Sequence, residues 1–135
     1  SVLEAEQPAP APEAPEAPAA QPVPEGVALI GFEDFQKVKL VTAQVVDARP
    51  HPHADRLLIV QLQVGERRKQ IVSGIREFYQ PEALIGRTII LVDNLKPAKL
   101  RGEASEGMLL AVKLPEGGLR ILTTDGPAAS GLSVS

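Results

Sequence analysis

Large apolar residues fall on every second position at Leu58, Val60, Leu62 and Val64, and this period of two predicts a half-buried strand over residues 57–64. The β-rich run 38–48 predicts a longer strand before it, and Gly65-Glu66 marks the turn after it. Residues 70–75 read as a third strand, 88–92 as a fourth and 108–112 as a fifth. A further strand, 119–122, follows the turn Glu116-Gly117-Gly118. Two segments break the period. Pro81-Glu82-Ala83-Leu84 starts with Pro at a first-turn position and is closed by Gly86, which predicts a short helix. Residues 32–38 predict a single turn whose Phe32 and Phe35 face the core.

Five strands with one short helix between the third and fourth is the layout of the all-β OB-fold barrel, although the pattern alone also suits an SH3-like barrel. Residues 114–135 run past a minimal five-strand barrel as a C-terminal β extension. This gives a domain at 31–135. Residues 1–30 have another texture: up to residue 25 they are almost wholly Ala, Pro, Glu and Gln, with Pro at 8, 10, 12, 15, 18, 22 and 24. Each Pro fixes its own φ and biases its predecessor to extended geometry. Such a stretch cannot bury enough apolar surface to offset ordering, so a disordered, stiff spacer rich in polyproline II is expected.

The net charge of −3 hides an uneven split. Residues 1–30 hold five acids (Glu4, Glu6, Glu13, Glu16, Glu25) and no Lys or Arg, which leaves 14 bases against 12 acids (17 less five) in the remainder. That balance is far milder than a general DNA binder needs, so DNA is not an expected partner. Any nucleic-acid face must gather its bases on one side. The lack of Cys excludes disulfides and thiolate metal sites. No run of about twenty apolar residues predicts a membrane span. A reduced, cytoplasmic setting is the default expectation, and a first residue of Ser1 rather than Met suits a piece of a longer protein.

Residues 93–108 carry the most chemistry. They place Lys96, Lys99, Arg101 and the Asn94 amide in a loop between two apolar strands. Pro97 stiffens that loop, while Gly102 and Gly107 let the backbone turn or approach a partner. Pre-ordered donors of this kind suit phosphate oxygens, but charge alone fits a solvated loop equally well. The run N-L-K-P-x-K-L-x-G-x-x-S-x-G-M, residues 94–108, resembles the signature of the tRNA-binding domain at the C-terminus of methionyl-tRNA synthetases. Freestanding tRNA-binding proteins and eukaryotic synthetase-associated cofactors share that domain. Other landmarks agree in order: Phe32-Glu33-Asp34-Phe35-Gln36-Lys37-Val38, His51-Pro52-His53-Ala54-Asp55-Arg56-Leu57-Leu58, Gln70-Ile71-Val72-Ser73-Gly74-Ile75 and Tyr79-Gln80-Pro81-Glu82-Ala83-Leu84-Ile85-Gly86. The resemblance covers about 32–135. It implies an OB-fold that grips the outer corner of the tRNA L without reading the anticodon. Position by position, it implies a nucleic-acid face of Lys39, Arg56, Ser73, Asn94, Lys96, Lys99, Arg101, Ser105 and Met108. Two positions depart from the family pattern: Arg101 stands where Met is usual, and Val41-Thr42 where Arg-Val is common.

The four aromatics, Phe32, Phe35, Phe78 and Tyr79, sit where core packing or helix docking would use them. Single-strand binders stack bases on exposed aromatics, so folded RNA read through backbone and shape is the better expectation. Four to six phosphate contacts would give log K a slope of about −3 to −5 against log salt.

Other chemistries find little support. His51, His53 and Asp55 suggest a metal site, but no Cys or further His completes it, and a surface turn is the simpler expectation. Ser73 and Ser105 lie in no nucleophile elbow, and no phosphate-loop or dinucleotide motif occurs. Arg67-Arg68-Lys69 reads as a solvated hairpin turn. The expectation is a non-catalytic tRNA-binding module, homodimeric through 114–135 and without cofactors of its own. ATP and Mg²⁺ would belong to a parent synthetase. Two alternatives are a freestanding tRNA-binding protein and an OB-fold chaperone for unfolded peptides, a class that lacks the full 94–108 run.

Overall fold

The computed structural model describes residues 26–135, so the expected Ala/Pro/Glu spacer at 1–25 lies outside the described residues. Lys37–Val134 forms one unit, and the residues up to Gln36 belong to another. In the latter, α1 (Phe32–Gln36) is a single turn, with the amides of Asp34 and Phe35 both donating to the Gly31 carbonyl. Phe32 is 70% exposed and Phe35 40% exposed, which corrects the expectation that both face a core. Three positions apart on one helical face, the rings meet each other instead, with centroids 6.4 Å apart.

The larger unit is built around β1 (Leu40–Pro50), an 11-residue strand shared by two neighbours. Its first half, Leu40 to Gln44, pairs antiparallel with β4 (Thr88–Val92). Its second half, Gln44 to Pro50, pairs with β2 (Leu58–Val64), and the register shifts between Val45 and Asp47. A bulge bends the strand that carries it, so one long strand serves both sides of a curled sheet. β2 returns through a two-residue turn to β3 (Arg67–Ser73), and α2 (Pro81–Leu84) leads into β4. The short helix between the third and fourth strands therefore stands where the sequence placed it.

Beyond β4 the chain makes a small hairpin, β5 (Ala98–Leu100) with β6 (Glu103–Ser105), then β7 (Met108–Leu109), which pairs with β4. Residues 104–106 also bond to β3: the Glu106 amide donates to the Gln70 carbonyl, and the Val72 amide to the Ser105 hydroxyl. The loop thus joins β3 to β4 and closes the curl, as in an OB barrel. The single fifth strand expected at 108–112 is in fact two. Leu110 breaks it, because β8 (Ala111–Lys113) leaves β4 to pair with β9 (Leu119–Ile121). β10 (Ser133–Val134) then returns to the start of β1.

The core takes alternate residues from these strands. Leu58, Val60, Leu62 and Val64 are all buried, as their spacing predicts, and meet Ala43, Val45, Ile71, Ile89, Leu91 and Leu109. Ile59, Val72, Ile90 and Val92 have the opposite parity yet are also buried, so β2, β3 and β4 are covered on both faces in part. Tyr79 packs against the core, and its hydroxyl accepts from the Ile121 amide at 3.3 Å. Phe78, by contrast, is exposed.

Thr42, buried on β1, holds the C-terminal segment. Its hydroxyl donates to the Ala129 carbonyl at 2.8 Å and accepts from the Leu132 amide at 3.0 Å, while its carbonyl accepts from Gly131 at 2.7 Å. This strap passes so close to the β2–β3 turn that a Cβ on Gly131 would lie 2.6 Å from the Gly65 nitrogen, and φ is +81° there. Gly131→Ala is accordingly expected to lower stability by about 2–4 kcal/mol, combining a left-handed backbone with a backbone clash. Gly126→Ala, where a Cβ meets nothing within 4 Å, is the control in denaturant unfolding. Equal midpoints for the two variants would refute the close approach.

Candidate nucleic-acid interface

The loop after β4 is anchored before it projects. Asp93 accepts from Lys69 Nζ at 2.6 Å and from Arg67 Nη2 at 2.7 Å, while its carbonyl accepts a second bond from Lys69 at 2.8 Å. Two members of the Arg67-Arg68-Lys69 run are therefore pinned to β4, and Arg68 donates to Gln63. This corrects the reading of that run as a solvated turn: β3 pairs with β2 alone, but the curl of the sheet brings its first residues to Asp93 at the end of β4, so its bases find an acid. Asn94 comes next. Its Oδ1 accepts from the Lys39 amide at 2.9 Å and its Nδ2 donates to the Lys37 carbonyl at 2.6 Å. The amide that the resemblance assigns to nucleic acid thus ties the loop to the chain before β1.

The β5–β6 hairpin turns through Arg101 and Gly102, with φ of +55° and +91°, as a two-residue turn of the type I′ kind requires. Gly adopts that region freely. Arg101 is the single non-Gly residue with positive φ among the described residues, at a cost of about 1–2 kcal/mol. The hairpin is steadied at its other end. Ser105, 7% exposed, accepts from the Val72 amide at 3.0 Å and donates to the Gly107 carbonyl at 3.1 Å. Its hydroxyl is committed within the fold.

The sequence-predicted residues fall into groups. Ser73, Lys96, Ser105 and Met108 come together around one groove of about 330 Å³, whose apolar wall includes Leu95 and Leu100. Lys99 sits between two groove-lining residues, Ala98 and Leu100, so strand alternation directs it to the other face of the hairpin, and Arg101 occupies the tip. Lys39 lies at the base of the loop through its bond to Asn94. Arg56 stands apart in the loop after β1, paired with Glu77 at 3.1 Å; both are well exposed, and such a pair is weak.

Lys96, Lys99 and Arg101 have no ion pair with any described residue, in contrast to Arg67 and Lys69. Lys39, Arg49 and Lys113 likewise have no ion pair with a described residue, so what sets these three apart is that they fall within six residues of one loop. Phe32, Phe35 and Phe78 are exposed, which corrects the expectation that packing uses all four aromatics, but no aromatic lines the groove. The structure also brings in a residue that the sequence reading set aside. His51 is 2% exposed rather than part of a surface turn, and its Nε2 lies 3.0 Å from the Leu100 carbonyl of the hairpin. No local pattern signals a contact that spans 49 positions.

Partial burial would raise the Asp93 carboxyl pKa, but the hydrogen bonds and charges of Arg67 and Lys69 outweigh it and hold the group below its usual 3.8. The folded chain thus favours the carboxylate. That contribution is present above the unfolded value and is lost as pH falls through the lower folded value. Asp93→Asn is expected to cost about 1–3 kcal/mol near pH 7, and the gap should close below about pH 4. Urea midpoints of both chains across that range check this, and a gap that stays constant would disprove it.

Comparison with known proteins bears on this loop directly. The chain matches the family model described as a putative tRNA binding domain over residues 40–133. It is 52% identical to a methionine–tRNA ligase of Halalkalibacterium halodurans over 103 residues, covering 76% of this chain and 15% of that relative. Among solved structures, a MetRS-related protein of Pyrococcus horikoshii aligns with a TM-score of 0.76 at 28% identity, covering 81% of this chain and all of the other. The chaperone CsaA of Bacillus anthracis aligns with a TM-score of 0.72 at 29% identity, covering 80% of this chain and all of the other. With the family pattern running from β1 into β10 and through the whole cationic loop, the chain belongs to the tRNA-binding domain family.

Proposed function

We propose that this domain binds the outer corner of folded tRNA through its sugar-phosphate backbone, without catalysis, as an appendage of a cytoplasmic methionine–tRNA ligase. The observation that carries this reading is the run of three cations without an ion pair, Lys96, Lys99 and Arg101, just before and within a hairpin whose loop is anchored at both ends. Charge-assisted bonds to phosphate gain most when the donors are ordered beforehand. The groove beside them adds Ser73 and an apolar wall without an aromatic platform, which suits shape and backbone contacts better than stacking on single strands. Met108, half-exposed on that wall, adds apolar contact to a sugar or base edge. ATP and Mg²⁺ would act on the catalytic body of the parent protein. This domain would raise the effective concentration of tRNA there.

A second reading keeps tRNA and drops the ligase, because the fold covers the whole of the solved Pyrococcus chain. Several hundred codons in frame upstream of Ser1 would decide for the ligase. The similarity to a chaperone leaves the fold neutral between RNA and unfolded peptide. The unpaired cations favour RNA.

Gel shifts with unfractionated tRNA should show log K falling with log salt at a slope of about −3 to −5. Lys96→Ala with Lys99→Ala should weaken binding by about tenfold or more and flatten the slope by about two. Undiminished binding in that double variant, or displacement of tRNA by a denatured protein at low concentration, would refute this assignment.

We also propose that the chain pairs with a second copy through the 114–135 extension and the β8–β9 hairpin. All three residues of β8 are exposed, with Val112 at 50%, and Leu122 is exposed beside them. Residues 129–134 serve β1 of their own chain, so point changes test this better than truncation. The native chain should have the mass of a dimer in solution, and Val112→Glu with Leu122→Glu that of a monomer. A monomeric native chain ends the idea.

A further inference from the structure

The hairpin that carries Lys99 and Arg101 supports itself poorly. β5 and β6 are three residues each and form a sheet of their own. β6 is steadied by β3 through Ser105 and Gln70, whose Nε2 donates to the Ala104 carbonyl at 2.8 Å. β5 has β6 as its one ladder partner, and all three of its residues are exposed. A two-stranded hairpin is marginal alone in water. Beyond that ladder, the side-chain hydrogen bond that reaches β5 among the described residues runs from His51 Nε2 to the Leu100 carbonyl, beside the turn, at 3.0 Å.

His51 is built for that contact. Its Nδ1 accepts from the His53 amide at 2.9 Å, so the ring carries its hydrogen on Nε2 and donates it to Leu100. Its own amide donates to the Leu57 carbonyl at 3.0 Å, which closes the loop between β1 and β2 around the ring. Both ring nitrogens are engaged and the side chain is buried, so the ring cannot turn without breaking two bonds.

We propose that His51 is a positioning residue for tRNA binding. It latches the hairpin to the loop between β1 and β2 and fixes Leu100, and with it the flanking Lys99 and Arg101, in the geometry that meets phosphate. The proposal rests on the tRNA-binding reading above and deepens it. Without the latch the folded body remains, but the hairpin must be ordered at the moment of binding, and that ordering lowers affinity.

The test compares His51→Ala, His51→Gln and His51→Asn in the whole chain. The Gln amide nitrogen reaches about as far as Nε2 and can still donate to Leu100. The Asn oxygen reaches about as far as Nδ1 and can satisfy His53 alone. Titration with unfractionated tRNA at several salt concentrations gives an affinity and a count of ions released. The Ala and Asn variants should bind about tenfold more weakly, with a slope flatter by one to two, and their 98–105 amides should exchange faster with solvent. The Gln variant should restore most of the slope. A residue that merely stabilises the fold would lower the folded fraction and leave the slope per complex unchanged. Equal slopes across all variants, or Asn behaving like Gln, would overturn the latch while leaving tRNA binding intact. A native chain without salt-dependent tRNA binding would overturn both.

Discussion

The hydrogen bond from the Val72 amide to the Ser105 hydroxyl is the point at which fold and site become one problem. A β-strand buried in a barrel has to satisfy its polar groups on both edges. β3 meets β2 along one edge, and on the other it meets residues 104–106, through Gln70, Val72 and the side chains of Ser105 and Glu106. The same few residues end the cationic hairpin. The loop therefore cannot drift without unpairing β3, and β3 cannot close without the loop. This explains why a segment dense in charge and glycine, which would elsewhere be a solvated excursion, is fixed against the barrel on one side.

Electrostatics sorts the cations by the same logic. Arg67 and Lys69 face the carboxylate of Asp93 and serve to hold β3 to the end of β4. Lys96, Lys99 and Arg101 follow within a few residues yet meet no acid among the described residues. Charges more than about 10 Å apart are largely screened at ordinary salt, so an outside anion responds to the local excess rather than to the net charge of the chain. A mildly acidic chain can in this way present a basic rim. Net charge describes its solubility better than its ligand.

What was legible in the sequence was whatever repeats locally. Leu58, Val60, Leu62 and Val64 announce a buried face because their period is set by the strand itself. Pro81 announces a helix start because its φ suits the first turn. The 94–108 run is legible as a family signature, and the family is the one that the comparison finds, while its internal division of labour is not legible. Asn94 and Ser105 carry hydroxyl or amide groups that suit phosphate, but the fold has turned them on its own backbone. His51 looked like a ligand or a turn because its partner, Leu100, lies 49 residues away. Thr42 gave no sign of binding Ala129 and Leu132, 87 and 90 residues off. The exposed Phe32, Phe35 and Phe78 show the converse, since an aromatic beside a polar turn is apolar wherever it ends up.

The location of the cations on so slight an element then has a physical reason. A phosphate-binding group on a long central strand would be buried by its neighbours, and its charge would need a partner inside the fold, as Lys69 does. A group on a free loop would stay charged and exposed but would have to be ordered by the ligand. The β5–β6 hairpin lies between these limits. Its tip is exposed and strained at Arg101, its base is bonded to the chain before β1 through Asn94 and to β3 through Ser105, and Leu100, next to the turn, is bonded to the β1–β2 loop through His51. Those three contacts come from three parts of the sequence, so the cations are placed by the closed barrel as a whole rather than by the hairpin that bears them. A fold that closes in this way holds a short charged turn at a set distance from a groove.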